Sequence, residues 1–337
     1  MTDVFDTPNP QPEPKRDRWG RYMLPDPAAP SGKAQPWTRA TTFAKSIADT
    51  FGLTQWEMRM VAAGIGLRRD LYALACAATV DDKDTLNRVA KDAKEAAAAS
   101  AGANLGTALH SFTEALDRGE TVNAPEPWAA DVDAYRTAMS NARITAQPDF
   151  VERIVVLKNL RVAGTLDRVV TLPDGRLAIG DLKTGKDLSY SWGEIAIQLA
   201  LYANADVMWN GITDQYEPMP QVDKTTAVVM HLPVGKARCD LYEVDIAAGW
   251  EAAQMCAQVR QWRARRDLAN TWGTTPAPTL SNSQLLHRQR IHNAIRAAGS
   301  EDVLTHIWRT ESAAGRWLPE HTESAAERKQ KLYATAA

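Results

Sequence analysis

Residues 180–187 read GDLKTGKD, and seven of the eight fit the phosphate-binding pattern G-x-x-x-x-G-K-[ST]. The eighth does not. Asp187 stands where a P-loop needs a hydroxyl to hold Mg²⁺. Asp181 would aim a carboxylate at phosphate oxygens and repel them. A P-loop also runs straight into a helix, and here DLSYS intervenes before a helical pattern begins. Nucleotide binding is therefore disfavoured, and no ATP is expected. The chemistry left in the segment is Asp-x-Lys.

Asp181 and Lys183 are two apart, so on a strand both leave the same face, and Leu182 points the other way into a core. Asp167 lies on the preceding strand, in GTLDR. Pro173-Asp174-Gly175 is turn chemistry between the two strands. Positions summing to about 348 then oppose one another, which pairs Asp167 with Asp181 at a Cβ separation of about 4.5–5.5 Å. Two like charges so placed destabilise a bare sheet. They make sense around a divalent cation, with Lys183 stabilising charge that develops beside it. Gly164, three residues before Asp167, lets backbone pass close to a ligand. Gly106 and His110 lie at i, i+4 on an earlier helix, and a neutral His110 ring could complete the coordination. Gln198 and Tyr202 share one face of the helix after the strand. Oxygen ligands favour Mg²⁺ or Mn²⁺, and a His ligand favours Mn²⁺.

The elements that must position these residues follow from pattern. The chain has 337 residues, 45% hydrophobic and 24% charged, with a net charge of −2, so any attraction for nucleic acid must be local. Cys76, Cys239 and Cys256 have no paired spacing, and a reducing cytoplasm is expected, with no membrane span and no signal peptide. Residues 1–36 are rich in Pro and polar residues and are expected to be disordered or extended, pinned in places by Trp19, Tyr22 and Trp37. A helical region follows. A short helix ends at Gly52, a Thr54-x-x-Glu57 capping box opens the next, and a solvated helix runs over 81–101. Residues 103–118 form a helix with Gly119 as its C-cap. Another spans 126–143. Strands are expected at 150–157, 162–172, 176–184, 226–232 and 239–246, with helices at 191–209 and 248–269. A Pro/Thr/Ser-rich linker leads to a small helical tail. The expected domains are a flexible arm (1–36), a helical region (37–100), a core (101–270) and a C-terminal extension (271–337). The fold class is α/β, with one central mixed sheet flanked by helices.

In order, LGTALH, GTLDR, GDLKTGK and QLALYA resemble the RecB-type nuclease branch of the PD-(D/E)XK superfamily, which includes phage-encoded and CRISPR-associated RecB-like exonucleases. The likeness covers residues 104–205. It implies a restriction-endonuclease-like core and a metal-dependent DNA nuclease, an exonuclease in recombination, repair or phage DNA processing. Asp167 and Asp181 would be metal ligands, with the Leu182 carbonyl and His110 completing the shell. Lys183 would orient or activate the attacking water, and Gln198 and Tyr202 would brace the site or touch DNA. Glu114 and Glu152 are candidates for an outer shell; Glu114 reads equally well as a surface residue and Glu152 as a strand cap. Relatives with an iron–sulfur cluster use four cysteines, so none is expected here. The substrate would be linear double- or single-stranded DNA, in host cytoplasm if the chain is phage-encoded, with a strand-annealing protein as a conceivable partner. Arg260, Arg263, Arg265 and Arg266 in VRQWRARR, and the segment KRDRWGR, are candidate DNA contacts. A non-catalytic binding relative and a structure-specific endonuclease are the alternatives.

Overall fold

A computed structural model describes residues 12–97, 101–269, 272 and 282–336. The chain divides into two units, Met1–Ala264 and Arg265–Ala337. The first opens with β1 (Tyr22–Leu24), β2 (Gln35–Arg39), α1 (Ala40–Ala44), α2 (Phe51–Leu67), α3 (Arg69–Ala77) and α4 (Lys83–Ala96). It continues with α5 (Ala101–Asp117), α6 (Ala129–Ala142), β3 (Thr145–Ala146), β4 (Arg153–Leu157), β5 (Val162–Leu166), β6 (Arg168–Thr171) and β7 (Leu177–Lys183). Then come α7 (Trp192–Ala203), β8 (Val207–Asn210), β9 (Gln215–Pro218), β10 (Thr226–His231), β11 (Asp240–Asp245) and α8 (Ile246–Ala264).

The strands form two mixed sheets rather than one. The first has the order β1-β2-β5-β4-β8-β9 and the second β11-β10-β7-β6-β3. Each contains one parallel pair, β2 with β5 and β10 with β7. The expected strand over 162–172 is broken at Asp167, where the chain leaves one sheet as β5 and enters the other as β6. Helices cover both faces of the second sheet. Val169, Ile179 and Val229 pack with Leu199 of α7 and Ala253 of α8. Val170, Ala178, Leu182 and Met230 pack with Leu109 of α5 and Tyr135 of α6. Burial on both faces is why β7 and β10 read as nearly continuous apolar runs.

Several local expectations change. Tyr22 and Trp37 do pin the arm, and with Leu24 they are buried in the first sheet rather than disordered, with Trp37 Nε1 donating to the Leu24 carbonyl at 3.1 Å. Three large apolar side chains outweigh the surrounding proline. Residues 1–11 of the expected arm lie outside the described residues. Trp19 stays exposed and pins nothing. Helix α2 begins at Phe51, so Gly52 ends no helix and Thr54 opens none; the Thr54 hydroxyl donates to the Thr50 carbonyl inside it. Helix α7 stops at Ala203, and the stretch expected to prolong it to 209 becomes β8, paired with β4 and β9. Helix α8 stops at Ala264. Gly119 does end α5, in the left-handed region at φ 82, with the Glu120 N–H bonded to the Ala115 carbonyl.

The second unit holds α9 (Asn282–Ala297), α10 (Glu301–Ala313) and α11 (Pro319–Ala336) around Ile291, Ile295, Ala298 and Leu304. Among the described residues no helix is long and apolar enough to cross a membrane.

Candidate active site

The site forms where the β6–β7 ladder stops. Its pairs run Thr171↔Leu177, Val170↔Ala178, Val169↔Ile179 and Arg168↔Gly180. Asp167 and Asp181 are the next pair in that register, but they are not closed into the ladder. The Asp167 carbonyl instead accepts from the Glu152 N–H at 2.9 Å, and its carboxylate Oδ2 accepts from the Leu182 N–H at 2.8 Å. The corner between the sheets thus leaves two carboxylates at the open end of β7. On the other edge of β7, the Lys183 carbonyl accepts from Leu232. A strand residue's N–H and C=O leave by the same edge. The Leu182 carbonyl therefore faces the corner, while its side chain packs in the core behind.

Helix α5 brings the next residues. A Cβ at Gly106 would stand 2.3 Å from Thr184 Oγ1, so only glycine lets α5 approach the end of β7 this closely. One turn on, His110 Nδ1 lies 3.6 Å from Asp167 Oδ2. Glu114 follows at i+4 and Asp117 at i+7, on the same helix face. Helix α7 supplies Gln198 and Tyr202, joined by a 3.0 Å bond from Gln198 Nε2 to Tyr202 Oη. Tyr202 packs on Gly164, where a Cβ would stand 2.5 Å from the ring. Glu152 enters from the start of β4 with a left-handed backbone, φ 55.

Burial sets the electrostatics. Asp181 is fully buried, and neither of its carboxylate oxygens receives a well-aligned hydrogen bond from the described residues. Lys183 Nζ lies 2.6 Å from Asp181 Oδ2 as an ion pair. Burial still outweighs that attraction and holds the Asp181 carboxyl above the usual range. On Lys183 burial opposes the charge, but Asp181 and Asp167 together raise its pKa. Burial pushes Glu152 up to about 9, helped by the neighbouring Asp167 and Glu114. Burial also raises Glu114, against the pull of Arg168, His110 and Arg118. Tyr202 is held protonated, first by burial, then by Tyr22, Asp181 and Asp167.

His110, Asp167, Asp181, Lys183, Gln198 and Tyr202 are thus brought to one corner, together with Glu114 and Glu152. The two glutamates are neither surface nor simple capping residues. The side-chain ligand set is not gathered into a closed shell, since the ligand atoms of His110, Asp167 and Asp181 do not all fall within 4.8 Å of one another. The Leu182 N–H holds the Asp167 carboxylate and Lys183 the Asp181 carboxylate. Among the described residues, the group that does meet that spacing is His292, Glu320 and His321, in the C-terminal unit.

The candidate DNA arginines have partners of their own. Arg260 donates to Thr38 Oγ1 at 3.3 Å and stacks over Phe43, so it fastens α8 to the body. Arg263 sits in the last turn of α8. Arg265 pairs with Asp267, and Arg266 donates to the Arg265 carbonyl; both belong to the second unit. In the basic segment, Arg16 covers Tyr22, Arg18 covers Trp19, and Arg21 pairs with Asp17.

Sequence reasoning missed Arg168, Asp117 and Tyr135. Arg168 is fully buried, and its Nη1 donates to Asp117 Oδ2 at 2.5 Å and to Tyr135 Oη at 2.6 Å. The available signal was the spacing of His110, Glu114 and Asp117 along one helix face, with a cation directly after Asp167. No protein-family model matches this chain, and no curated protein matches it.

Proposed function

We propose that the chain is a divalent-metal-dependent deoxyribonuclease and, on its resemblance to RecB-type nucleases, an exonuclease acting on linear DNA with a PD-(D/E)XK-type core. The observation that carries the reading is the Asp181 carboxylate. It is fully buried, its oxygens lack aligned donors, and Asp167 and Lys183 stand beside it. A buried carboxylate left with lone pairs is costly unless a cation takes them. The donor set fits Mg²⁺ or Mn²⁺, with Asp167, Asp181 and the Leu182 carbonyl as oxygen ligands and His110 beside Asp167. When bound, such an ion polarises a phosphate and acidifies a water.

The remaining roles belong to the chain. Lys183 keeps its proton through the pull of Asp181 and Asp167, so it offers fixed positive charge to the phosphate as negative charge builds. Tyr202 accepts from Gln198, which leaves its own hydroxyl proton to donate into the corner. Its packing on Gly164 fixes where that hydroxyl oxygen sits.

The test uses end-labelled linear double- and single-stranded DNA and a closed circle, in Mg²⁺, Mn²⁺ or EDTA. Loss of the linear forms alone, dependent on metal and about 10²–10³-fold slower in Lys183→Ala, is expected. Cutting of the circle would make the enzyme an endonuclease using the same residues. No cleavage in any metal by a folded, DNA-binding protein would overturn the proposal in favour of a binding module.

A further inference from the structure

The corner carries cations that the proposed reaction does not use. Arg168 Nε and Nη2 are buried without a hydrogen-bond partner among the described residues, although Nη1 is doubly bonded. A guanidinium is seldom buried so incompletely satisfied unless surrounding charge holds it. Asp117 and Asp167 both interact electrostatically with Arg168, as do Glu114 and Glu152 from their side. Arg118 Nη2 lies 3.6 Å from Glu114 Oε2, and Lys183 Nζ lies 2.6 Å from Asp181 Oδ2. Five carboxyl groups, on Glu114, Asp117, Glu152, Asp167 and Asp181, therefore face three fixed cations, Arg118, Arg168 and Lys183. With all five ionised, as a bound cation favours, two negative charges are uncompensated, which is the charge of one divalent ion. A second ion would leave excess positive charge in a buried site, where uncompensated charge is strongly disfavoured.

We propose that the site takes a single divalent ion, held by Asp167 and Asp181, and that Arg168 is a positioning residue that, together with Arg118, supplies beside Glu114 and Glu152 the two positive charges that a second ion would otherwise bring. This rests on the nuclease reading above. It makes Glu114 and Glu152 partners of arginine rather than ligands of a second metal.

The experiment titrates the full chain, stripped with EDTA and desalted, with Mn²⁺ alone. Bound ions are counted by calorimetry and by the electron paramagnetic resonance signal of the free ion. A His292→Ala control identifies any ion held by the C-terminal histidines. One ion at the corner is expected in the unsubstituted chain and in Arg168→Lys, none in Asp181→Asn, and one ion bound up to about tenfold more tightly in Arg168→Met, where three negative charges would be uncompensated and a second ion would still leave excess positive charge. Return to the unsubstituted affinity in Arg168→Lys separates a charge effect from a packing effect. Two corner ions in the unsubstituted chain would overturn the inference and leave the nuclease reading standing. No ion at all would overturn both. Affinity unchanged or weakened in a folded Arg168→Met would also overturn the inference. If Arg168→Met does not fold, because Asp117 is left buried without its partner, Glu114→Gln decides. There the count stays at one and affinity weakens by about tenfold or less, the effect of a nearby charge on a screened ion. Abolition of binding, as in Asp181→Asn, would make Glu114 a ligand and refute the assignment.

Discussion

The corner at the end of β7 and the cluster of His292, Glu320 and His321 in the C-terminal unit both gather ionisable side chains. In the cluster the ligand atoms are close, with both Nε2 atoms under 4 Å from Glu320 Oε1, at 3.6 Å and 3.8 Å. Two of those atoms, Glu320 Oε1 and His321 Nε2, also lack an aligned hydrogen-bond partner, but a guanidinium and a ring proton stand against a metal there. Arg288 grips the Glu320 carboxylate. His321 Nδ1 accepts from the Leu318 N–H at 3.0 Å, so the proton of its neutral ring sits on Nε2, where a metal would need a lone pair. Burial, and then His292, keep that ring neutral. At the corner the ligand atoms are less tightly grouped, but the Asp181 oxygens lack aligned donors. A cation site is marked by lone pairs left over, more than by closeness.

The contrast is broken most directly by substituting one residue on each side. Asp181→Asn should lower DNA cleavage by about 10³-fold or more, since the metal's contribution is several kcal/mol. In EDTA the same variant should melt close to the unsubstituted chain, because relief of a buried charge that lacks aligned donors is offset by loss of its ion pair with Lys183. His292→Ala should leave cleavage unchanged. Full activity in a folded Asp181→Asn, or its loss in His292→Ala, would reverse the assignment of the two regions. A smaller effect sharpens the same contrast. Mn²⁺ at about a hundred times its Kd should stabilise the first unit by roughly 2.7 kcal/mol, read as a rise in its calorimetric melting temperature. The C-terminal unit should show no shift with Mn²⁺ or Zn²⁺. A Zn²⁺-dependent shift there, absent in His292→Ala, would make the cluster a metal site after all.

The parts of this arrangement that follow from local rules were legible. The turn at Pro173-Asp174-Gly175 fixes the β6–β7 register, and every pair observed lies on the predicted sum. The i, i+4 spacings of Gly106 with His110 and of Gln198 with Tyr202 are helix geometry, and both pairs reach the corner. What was not legible depends on long-range packing. The break at Asp167 between two sheets has no local breaker, because Leu166 and Arg168 both read as strand. Tyr22 and Trp37 were legible as anchors of the arm, but the burial of Leu24 beside them is decided by a parallel pairing of β2 with β5, over 120 residues away in sequence. Glu114 and Glu152 read equally as outer-shell groups or as surface and capping residues, and only the crossing of α5 at the corner decides between them. Arg168 carries no signal of its own in the sequence, and only the third dimension supplies Asp117 and Tyr135.

Glu152 and Glu320 provide the finest test, because burial and an arginine act on them with opposite outcomes. Glu152 has its pKa pushed up to about 9, chiefly by burial. A carboxyl that holds its proton more tightly when folded contributes stability that is fully present below its unfolded pKa of about 4.5 and is lost as pH rises through the folded value. Metal-free protein should therefore weaken between about pH 5 and pH 9, and Glu152→Gln, which cannot ionise, should escape that loss. Urea unfolding in EDTA should find the two chains nearly equal at pH 5, with the Gln variant ahead by roughly 1–2 kcal/mol at pH 8; the full shift would not be realised, because relaxation and water entry around an ionised Glu152 relieve part of it. Glu320 behaves inversely. Burial opposes its charge, but Arg288 outweighs burial and holds the pKa below the ordinary value. Its contribution is present above the unfolded pKa and fades as pH falls through the folded one, so the deficit of Glu320→Gln should shrink in acid. Two glutamate-to-glutamine differences that changed in the same direction with pH would mean that the corner is compensated like the cluster, and that Glu152 does not sit among uncompensated carboxylates.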